Sequence, residues 1–310
     1  MKALVTGGAG FIGSNLVDTL VARGDTVVVV DDLSSGKESN LEGAFAQGVV
    51  LHRADVRDAA AMRELVAAER PDAIFHLAAQ VDVRKSLEDP AYDARTNVEG
   101  TINVLEAARE AEVRRVVFAS TGGAIYGETD VIPTPETEPP LPMAAYGQSK
   151  FCAECYLGLY ERLYGMSTLA LRFGNVYGPR QDPHGEAGVI AIFSGLLREG
   201  KRPKVYGTGE QTRDYIYVGD LVGAIAAAGD ADVTGAINLG TEEETSVLHI
   251  VERMATFEPD VDFSPDLQPA RLGEIDRSCL AVSKAREELG WTATTRIDDG
   301  LRLTYESTAG

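Results

Sequence analysis

Positive charge is what this sequence lacks most. Its 29 lysines and arginines face 48 aspartates and glutamates, giving a formal net charge of -19 at pH 7. So acidic a chain repels nucleic acid and anionic membranes. It also makes each arginine informative, because an anionic ligand must find focused positive groups. Cysteine is scarce too: Cys152, Cys155 and Cys279 are too few for a disulfide framework and fit a reducing compartment. The four histidines, His52, His76, His184 and His249, are scattered without metal-ligand spacing, so no metal site is expected. No apolar run approaches ~18 residues, the length that suggests a membrane span. Met1-Lys2 leads directly into an apolar strand with no signal-peptide pattern before it. The expectation is a soluble cytoplasmic protein.

Hydrophobic residues are plentiful, at 44% of 310 residues, enough for one large or two moderate domains. Short apolar runs alternate with helical stretches through the first half. Ala3–Val5, Val27–Val30, Val49–Leu51, Ile74–Leu77 and Val116–Ala119 read as strands. Helical patterns lie near Gly13–Ala22, Ala59–Ala68 and Val98–Ala108. Strands continuous in apolar residues, with helices between, imply a parallel sheet covered on both faces: a doubly wound, Rossmann-like α/β domain. Five prolines between Pro133 and Pro142 make a loop, followed by a helix from Ala145 to about Leu163 and a strand over Thr168–Arg172. Beyond Phe173 the pattern weakens. Residues 1–172 are expected to form the dinucleotide-binding domain, and 173–310 a smaller, less regular substrate domain whose segments interleave with the first.

The first strand runs into Thr6-Gly7-Gly8-Ala9-Gly10-Phe11-Ile12-Gly13. Glycines between a strand and a helix let the backbone turn tightly and approach a pyrophosphate, which the helix N-terminus then binds. Asp31 ends the second strand. A carboxylate there accepts hydrogen bonds from the adenosine ribose and repels a 2′-phosphate, favouring NAD over NADP. Lys37 sits nearby and could soften that choice.

Tyr146 and Lys150 are four residues apart and share a helix face. A tyrosine of pKa about 10 is a poor base at neutral pH. A nearby ammonium, together with the positive nicotinamide, is expected to lower it toward working pH. Ala119-Ser120-Thr121 lies at the carboxyl end of the fifth strand, where such sheets bind ligands. A Thr121 hydroxyl could meet the sugar hydroxyl that is oxidised.

These motifs occur in one order: the glycine loop, Asp31, Ala119-Ser120-Thr121 with Ile125-Tyr126-Gly127, Tyr146 with Lys150, Asn175-Val176-Tyr177-Gly178-Pro179-Arg180, and Arg213-Asp214-Tyr215-Ile216. Together they resemble the extended short-chain dehydrogenase/reductase superfamily, and within it the UDP-glucose (UDP-galactose) 4-epimerases. The resemblance implies Tyr146 as base, Lys150 on the nicotinamide ribose and Thr121 assisting. It implies an NAD site lined by Gly7, Gly10, Phe11, Ile12, Gly13, Asp31, Asp55, Val56, Leu77, Ala78, Ala79, Gln80 and Asn97. It places Asn175, Val189, Arg213, Arg271 and Glu274 on the nucleotide sugar, with the two arginines meeting the diphosphate. A small residue, Ser278, stands where the family often has a tyrosine, leaving room at C2. A homodimer formed through the helices near 98–108 and 145–163 is also implied, although those faces could simply be core.

The expected reaction inverts C4 of a UDP-hexose through a transient 4-keto sugar. Nucleotide-sugar 4,6-dehydratases carry an Asp-Glu pair after the threonine, whereas here Gly122-Gly123 follow Thr121. The C6 substituent stays open: hydroxymethyl, as in UDP-glucose, or carboxylate, as in UDP-glucuronate. For a carboxylate, Arg84, Arg180 and Ser120 are the candidate partners, and His184 is a further candidate for ligand contact. A non-enzymatic NAD-binding regulator is the remaining alternative; it would need neither Tyr146, Lys150 nor Thr121. Cys152 and Cys155 have redox spacing but lie inside the Tyr146 helix, so they are read as inert.

Overall fold

The structure is a computed structural model and describes residues 1–183, 188–270 and 275–308. Chain order begins with β1 (Lys2–Thr6), β2 (Thr26–Asp31), β3 (Val50–Arg53), β4 (Ala73–His76), β5 (Arg115–Thr121) and β6 (Ser167–Phe173). These are the six strands anticipated above, each with its end shifted by a residue or two. A strand from the C-terminal third, Gly235–Leu239, was not anticipated; it pairs with β6 in parallel, Ile237 opposite Leu171. Its Ala236-Ile237-Asn238-Leu239 run is too short to be told from a buried helix segment by periodicity.

The seven strands form one parallel sheet in the order Gly235–Leu239, β6, β5, β4, β1, β2, β3. The chain leaves β1 toward β2 on one side and returns to β4 on the other. Strand order therefore reverses beside β1, opening a crevice at the carboxyl ends, where open α/β sheets bind ligands.

Both faces are covered. Helices Phe11–Ala22 and Val218–Ala228 pack on one face around Leu16, Leu20, Phe75, Leu169 and Ile225. Helices Ala59–Glu69, Gly100–Glu110 and Ala145–Tyr164 pack on the other around Leu4, Met62, Ile74, Leu105, Phe118 and Leu157. A third core, built on Tyr177, Phe193, Val205, Tyr215, Ile250, Phe263 and Leu301, belongs to the C-terminal part.

Polar groups register these layers. His76 is buried between Thr6 Oγ1 at 2.7 Å and Thr101 Oγ1 at 3.1 Å. Burial, reinforced by the Lys150 charge, depresses its pKa to about 3, so it stays neutral. Thr101 Oγ1 also donates to the Asn97 carbonyl at 2.6 Å, inside the single π turn Arg95–Glu99. On the far side of β5, Arg172 of β6 meets Glu154 of the Ala145–Tyr164 helix, Nη2 to Oε2 at 2.6 Å, with side chains only 6% and 8% exposed. Ser120 Oγ donates to Glu154 Oε1 at 2.5 Å, and Arg172 Nη1 donates to the Tyr126 hydroxyl at 2.8 Å.

That buried ion pair seats the helix, and removing one partner strands the other. Arg172→Ala should lower unfolding stability by about 3–5 kcal/mol in urea titration. The double variant Arg172→Met, Glu154→Leu should lose clearly less, because no buried charge is left alone. Equal losses would show that the pair's charges do not interact.

Candidate active site

The glycine loop joins β1 to the Phe11–Ala22 helix. Gly7 has φ +70°, and a Cβ there would lie 2.7 Å from the Ala78 backbone nitrogen. At Gly13 a Cβ would lie 2.1 Å from the Gly7 carbonyl oxygen. The backbone thus closes on itself more tightly than any side chain permits. Gly10 caps the helix, and the first amides beyond it, at Phe11, Ile12 and Gly13, open the anion-binding end. Asp31 is buried at the carboxyl end of β2, where Oδ2 accepts from Ala9 N at 2.9 Å and Oδ1 from Leu33 N at 2.8 Å. A carboxylate has about four lone-pair sites, so capacity remains for two ribose hydroxyls. Burial raises its pKa, while the two amides pull the other way. Lys37, which could have softened NAD preference, is held by Asp182 at 2.7 Å.

The other cofactor candidates gather around the same crevice. Leu77, Ala78 and Ala79 continue from β4, with Leu77 N donating to the Thr6 carbonyl at 3.1 Å and Ala78 N to Thr6 Oγ1 at 3.2 Å. Gln80 N donates to Asn97 Oδ1 at 2.8 Å, and Asn97 Nδ2 donates back to the Gln80 carbonyl at 2.9 Å. Asp55, beyond β3, is bound by the Arg57 guanidinium, and this contact lowers its pKa. Val56 beside it is buried, close enough to Gly100 that a Cβ there would meet Val56 Cγ2 at 2.8 Å. A glycine cradle that a Cβ would fill, a helix N-terminus and a buried carboxylate with spare acceptor capacity fit an adenine dinucleotide lacking a 2′-phosphate.

Tyr146 and Thr121 meet at the carboxyl end of β5, where the Thr121 side chain comes near enough to the Tyr146 phenol to influence its ionisation. Burial pushes the Tyr146 phenol up to about 12; Thr121 opposes the rise and the Asp93 charge adds to it. This corrects the expectation of a phenol lowered by its lysine. In the protein alone the Lys150 ammonium is turned to the Ala119 carbonyl, 2.8 Å away, and lies 4.6 Å over the Phe118 ring. Burial lowers Lys150 itself to about 8, with Asp93 and Glu154 holding it up.

Ser120 differs from its expected place. Its hydroxyl is buried against Glu154 of the Ala145–Tyr164 helix, on the sheet face that Phe118 also lines. Arg180 also lies elsewhere, its guanidinium on Asp18 of the Phe11–Ala22 helix at 2.6 Å. Arg84 is exposed on the short Val83–Glu88 helix, 3.7 Å from Asp82. None of the three lines the cavity described next.

Asn175, Val189 and Arg213 line one cavity of about 620 Å³ in the C-terminal part. Arg213 stands on the strand Thr212–Tyr217, with Ser278 opposite it in register. Its neighbour Asp214 is buried, taking Thr241 N and Oγ1 on one oxygen and Leu280 N on the other, which fixes the strand. The cavity adds residues the sequence reading missed: Lys201, Lys204, Tyr206 and Gln211. Only Tyr206-Gly207, an aromatic before a positive-φ glycine, could have drawn notice, and nothing in its spacing ties it to Tyr146. Asn175 links the two regions, since a Cβ on Gly123 would lie 3.2 Å from its Oδ1. Arg271, Glu274 and His184 fall outside the described residues.

A dinucleotide crevice beside a tyrosine–threonine–lysine group, continuous with an arginine-bearing cavity, defines an extended short-chain dehydrogenase/reductase. Residues 4–304 match the family model described as GDP-mannose 4,6 dehydratase. A UDP-glucose 4-epimerase of Mycolicibacterium smegmatis is 46% identical, over 99% of this chain and 98% of its own length. Among solved structures, UDP-glucose 4-epimerase of Thermotoga maritima, crystallised with UDP-glucose, is 43% identical with a TM-score of 0.96, covering 99% of this chain and 98% of that one. The Thermus thermophilus enzyme, a complex with NAD, is 42% identical with a TM-score of 0.92, covering 100% of this chain and 99% of that one. The chain belongs to the UDP-glucose 4-epimerase family, inside the broader group that the dehydratase model describes.

The tyrosine geometry is directly measurable. Ultraviolet difference titration of wild type against Tyr146→Phe should show Tyr146 fully protonated across the neutral range without NAD. Its transition should move to lower pH when NAD binds; an unmoved transition would remove the cofactor charge as the cause.

Proposed function

We propose that this chain is an NAD-dependent 4-epimerase that interconverts UDP-glucose and UDP-galactose. The observation that carries the reading is the approach of Thr121 to Tyr146 with no acid following the threonine. Thr121 is followed by Gly122 and Gly123, and a Cβ on Gly122 would lie 2.4 Å from Leu280 Cδ1. Neither glycine carries a side chain, so the elimination of water that a 4,6-dehydratase performs has no acid–base pair there.

When bound, NAD supplies the reversible oxidation of the C4 carbinol. Tyr146, as phenolate, takes the C4 hydroxyl proton directly or through Thr121 and returns it when the sugar is reduced. Lys150 keeps two of its three N–H donors beyond the Ala119 contact, enough to hold the nicotinamide ribose. Asp31 receives the adenosine ribose, and the amides of Phe11, Ile12 and Gly13 receive the pyrophosphate. Gly7, Asp55, Val56, Leu77, Ala78, Ala79, Gln80 and Asn97 complete that wall. Arg213, with Arg271, holds the sugar-linked diphosphate so that the sugar can turn over without leaving. Asn175 and Val189 flank it, Glu274 takes the uridine-side ribose, and the Tyr206 ring offers a face to the base. Residues 1–172 thus serve the cofactor and 173–310 the nucleotide sugar, with Gly235–Leu239 reaching back into the first sheet.

The relatives, UDP-glucose 4-epimerases by name, support a neutral hexose over a uronate. Arg84, Arg180 and Ser120, the residues named for a C6 carboxylate, are engaged or exposed elsewhere. Homodimerisation through the helices Gly100–Glu110 and Ala145–Tyr164 is part of the proposal. Leu163 and Tyr164, 61% and 53% exposed at the end of the second helix, support it. So is a cytoplasmic location, which three free cysteines suit. No helix among the described residues is long and apolar enough to cross a membrane.

The test is incubation of the purified protein with UDP-glucose and, separately, UDP-glucuronate, without added NAD, followed by product separation. UDP-galactose from the first and no product from the second is the expected result. Conversion of only the uronate would replace the substrate, and no C4 epimer of either, even with NAD added, would overturn the reading. Tyr146→Phe should abolish turnover while leaving the thermal unfolding midpoint near wild type; an active variant would remove Tyr146 as base. Arg213→Ala should raise KM for the nucleotide sugar by tenfold or more, roughly the worth of one charge-assisted phosphate contact.

A further inference from the structure

Lys150 bonds the Ala119 carbonyl and feels the charges of two carboxylates, Glu154 on the same helix and Asp93 on the short helix packed against it. Glu154 already has a counter-ion in Arg172 and a second donor in Ser120. Asp93 has neither. It is 1% exposed on the short helix Pro90–Ala94, which packs against the Ala145–Tyr164 helix. Its Oδ1 accepts from two neutral amides, Gln80 Nε2 at 2.8 Å and Asn97 Nδ2 at 3.2 Å. Its Oδ2 is buried with no hydrogen-bond partner in the protein. A carboxylate so placed is retained only where a charge compensates it.

The surrounding charges leave one candidate. On the Val83–Glu88 helix, Arg84, Lys85 and Glu88 are exposed, and the Asp82 carboxylate caps the amides of Arg84 and Lys85. On the π turn, Arg95 and Glu99 are exposed. On β4, His76 is neutral. From the Ala145–Tyr164 helix, Tyr146 and Lys150 both feel the Asp93 charge. Lys150 is therefore the buried cation facing Asp93 among the described residues. Asn97 Nδ2 also donates to Ser149 Oγ at 3.0 Å, which ties the amides holding Asp93 to the residue next to Lys150.

We propose that Asp93 is the counter-ion of the Lys150 ammonium, a positioning residue that keeps Lys150 charged and, with Tyr146, fixes the pH range of the reaction. Its charge favours the ammonium and disfavours the phenolate, so removing it shifts both groups the same way. In NAD-loaded Asp93→Asn the basic limb of the kcat/KM profile, set by loss of the ammonium, moves to lower pH. The acid limb, set by protonation of the phenolate, moves to lower pH with it. The displacement is roughly one pH unit, the lower end of what a nearby charge produces. Asp93→Glu restores the wild-type limbs. A residue that only braces the helix would lower the profile at every pH and leave both limbs in place.

The rate measurement rests on the epimerase reading, so a second readout stands apart from turnover. In NAD-loaded protein without sugar, the Tyr146 ultraviolet transition, isolated by subtracting a Tyr146→Phe partner in each background, moves to lower pH in Asp93→Asn. Asp93→Ser carries the same neutralisation if the asparagine variant is insoluble. Unmoved limbs with an unmoved tyrosine transition overturn the role of Asp93 and leave the epimerase reading intact. A wild-type protein that epimerises nothing overturns that reading, and the tyrosine titration still decides on Asp93.

Discussion

The site depends on how one helix is seated. Tyr146 and Lys150 leave the first turns of Ala145–Tyr164, while Thr121 and the Ala119 carbonyl belong to the end of β5. The loop between them contributes its own tie, Leu141 N donating to the Ile125 carbonyl at 3.0 Å. The seat is made two turns along the helix, where Glu154 is locked to Arg172 of β6 and to Ser120 of β5, both partners buried. Because Arg172 and Ser120 are opposite one another in the sheet register, the clamp fixes helix, β5 and β6 as one body. The approach of Thr121 to Tyr146 follows from it. Ser120 and Thr121, adjacent in sequence, meet the same helix at different turns: one holds Glu154 and the other approaches Tyr146.

Two of the buried cations gather at this helix, Lys150 beside Tyr146 and Arg172 beneath it, and a third, Arg115, is held by the Ala228 carbonyl and Ser167. Arg213 is half-buried in the C-terminal cavity, and Arg180 pairs with Asp18. Burial raises the Tyr146 phenol, and the nearby Asp93 charge adds to the rise.

Much of this was legible in the sequence, because it rests on local pattern. Apolar strand runs, the glycines at 7, 10 and 13, Asp31 and the four-residue spacing of Tyr146 and Lys150 each report a backbone constraint that needs no partner. Three things were not legible. Gly235–Leu239 joins the sheet through a pairing with β6 that no short-range signal announces. The cavity residues Lys204, Tyr206 and Gln211 are recruited by tertiary packing of the C-terminal part. The orientations of Ser120, Arg84 and Arg180 depend on which acid each reaches, and the sequence supplies acids everywhere. The expected lowering of Tyr146 failed for a related reason: helical spacing put Lys150 on the right face, but the Ala119 carbonyl and the Phe118 ring decide where its ammonium goes.

The central claim is that C4 is oxidised and reduced within one closed site. UDP-glucose deuterated at C4 tests it most directly. The account predicts UDP-galactose carrying the full label at C4 after turnover in ordinary water, because the hydrogen removed is the hydrogen returned. Loss of the label to solvent would contradict it, since inversion would then proceed by exchange of a proton at carbon and not by oxidation at C4.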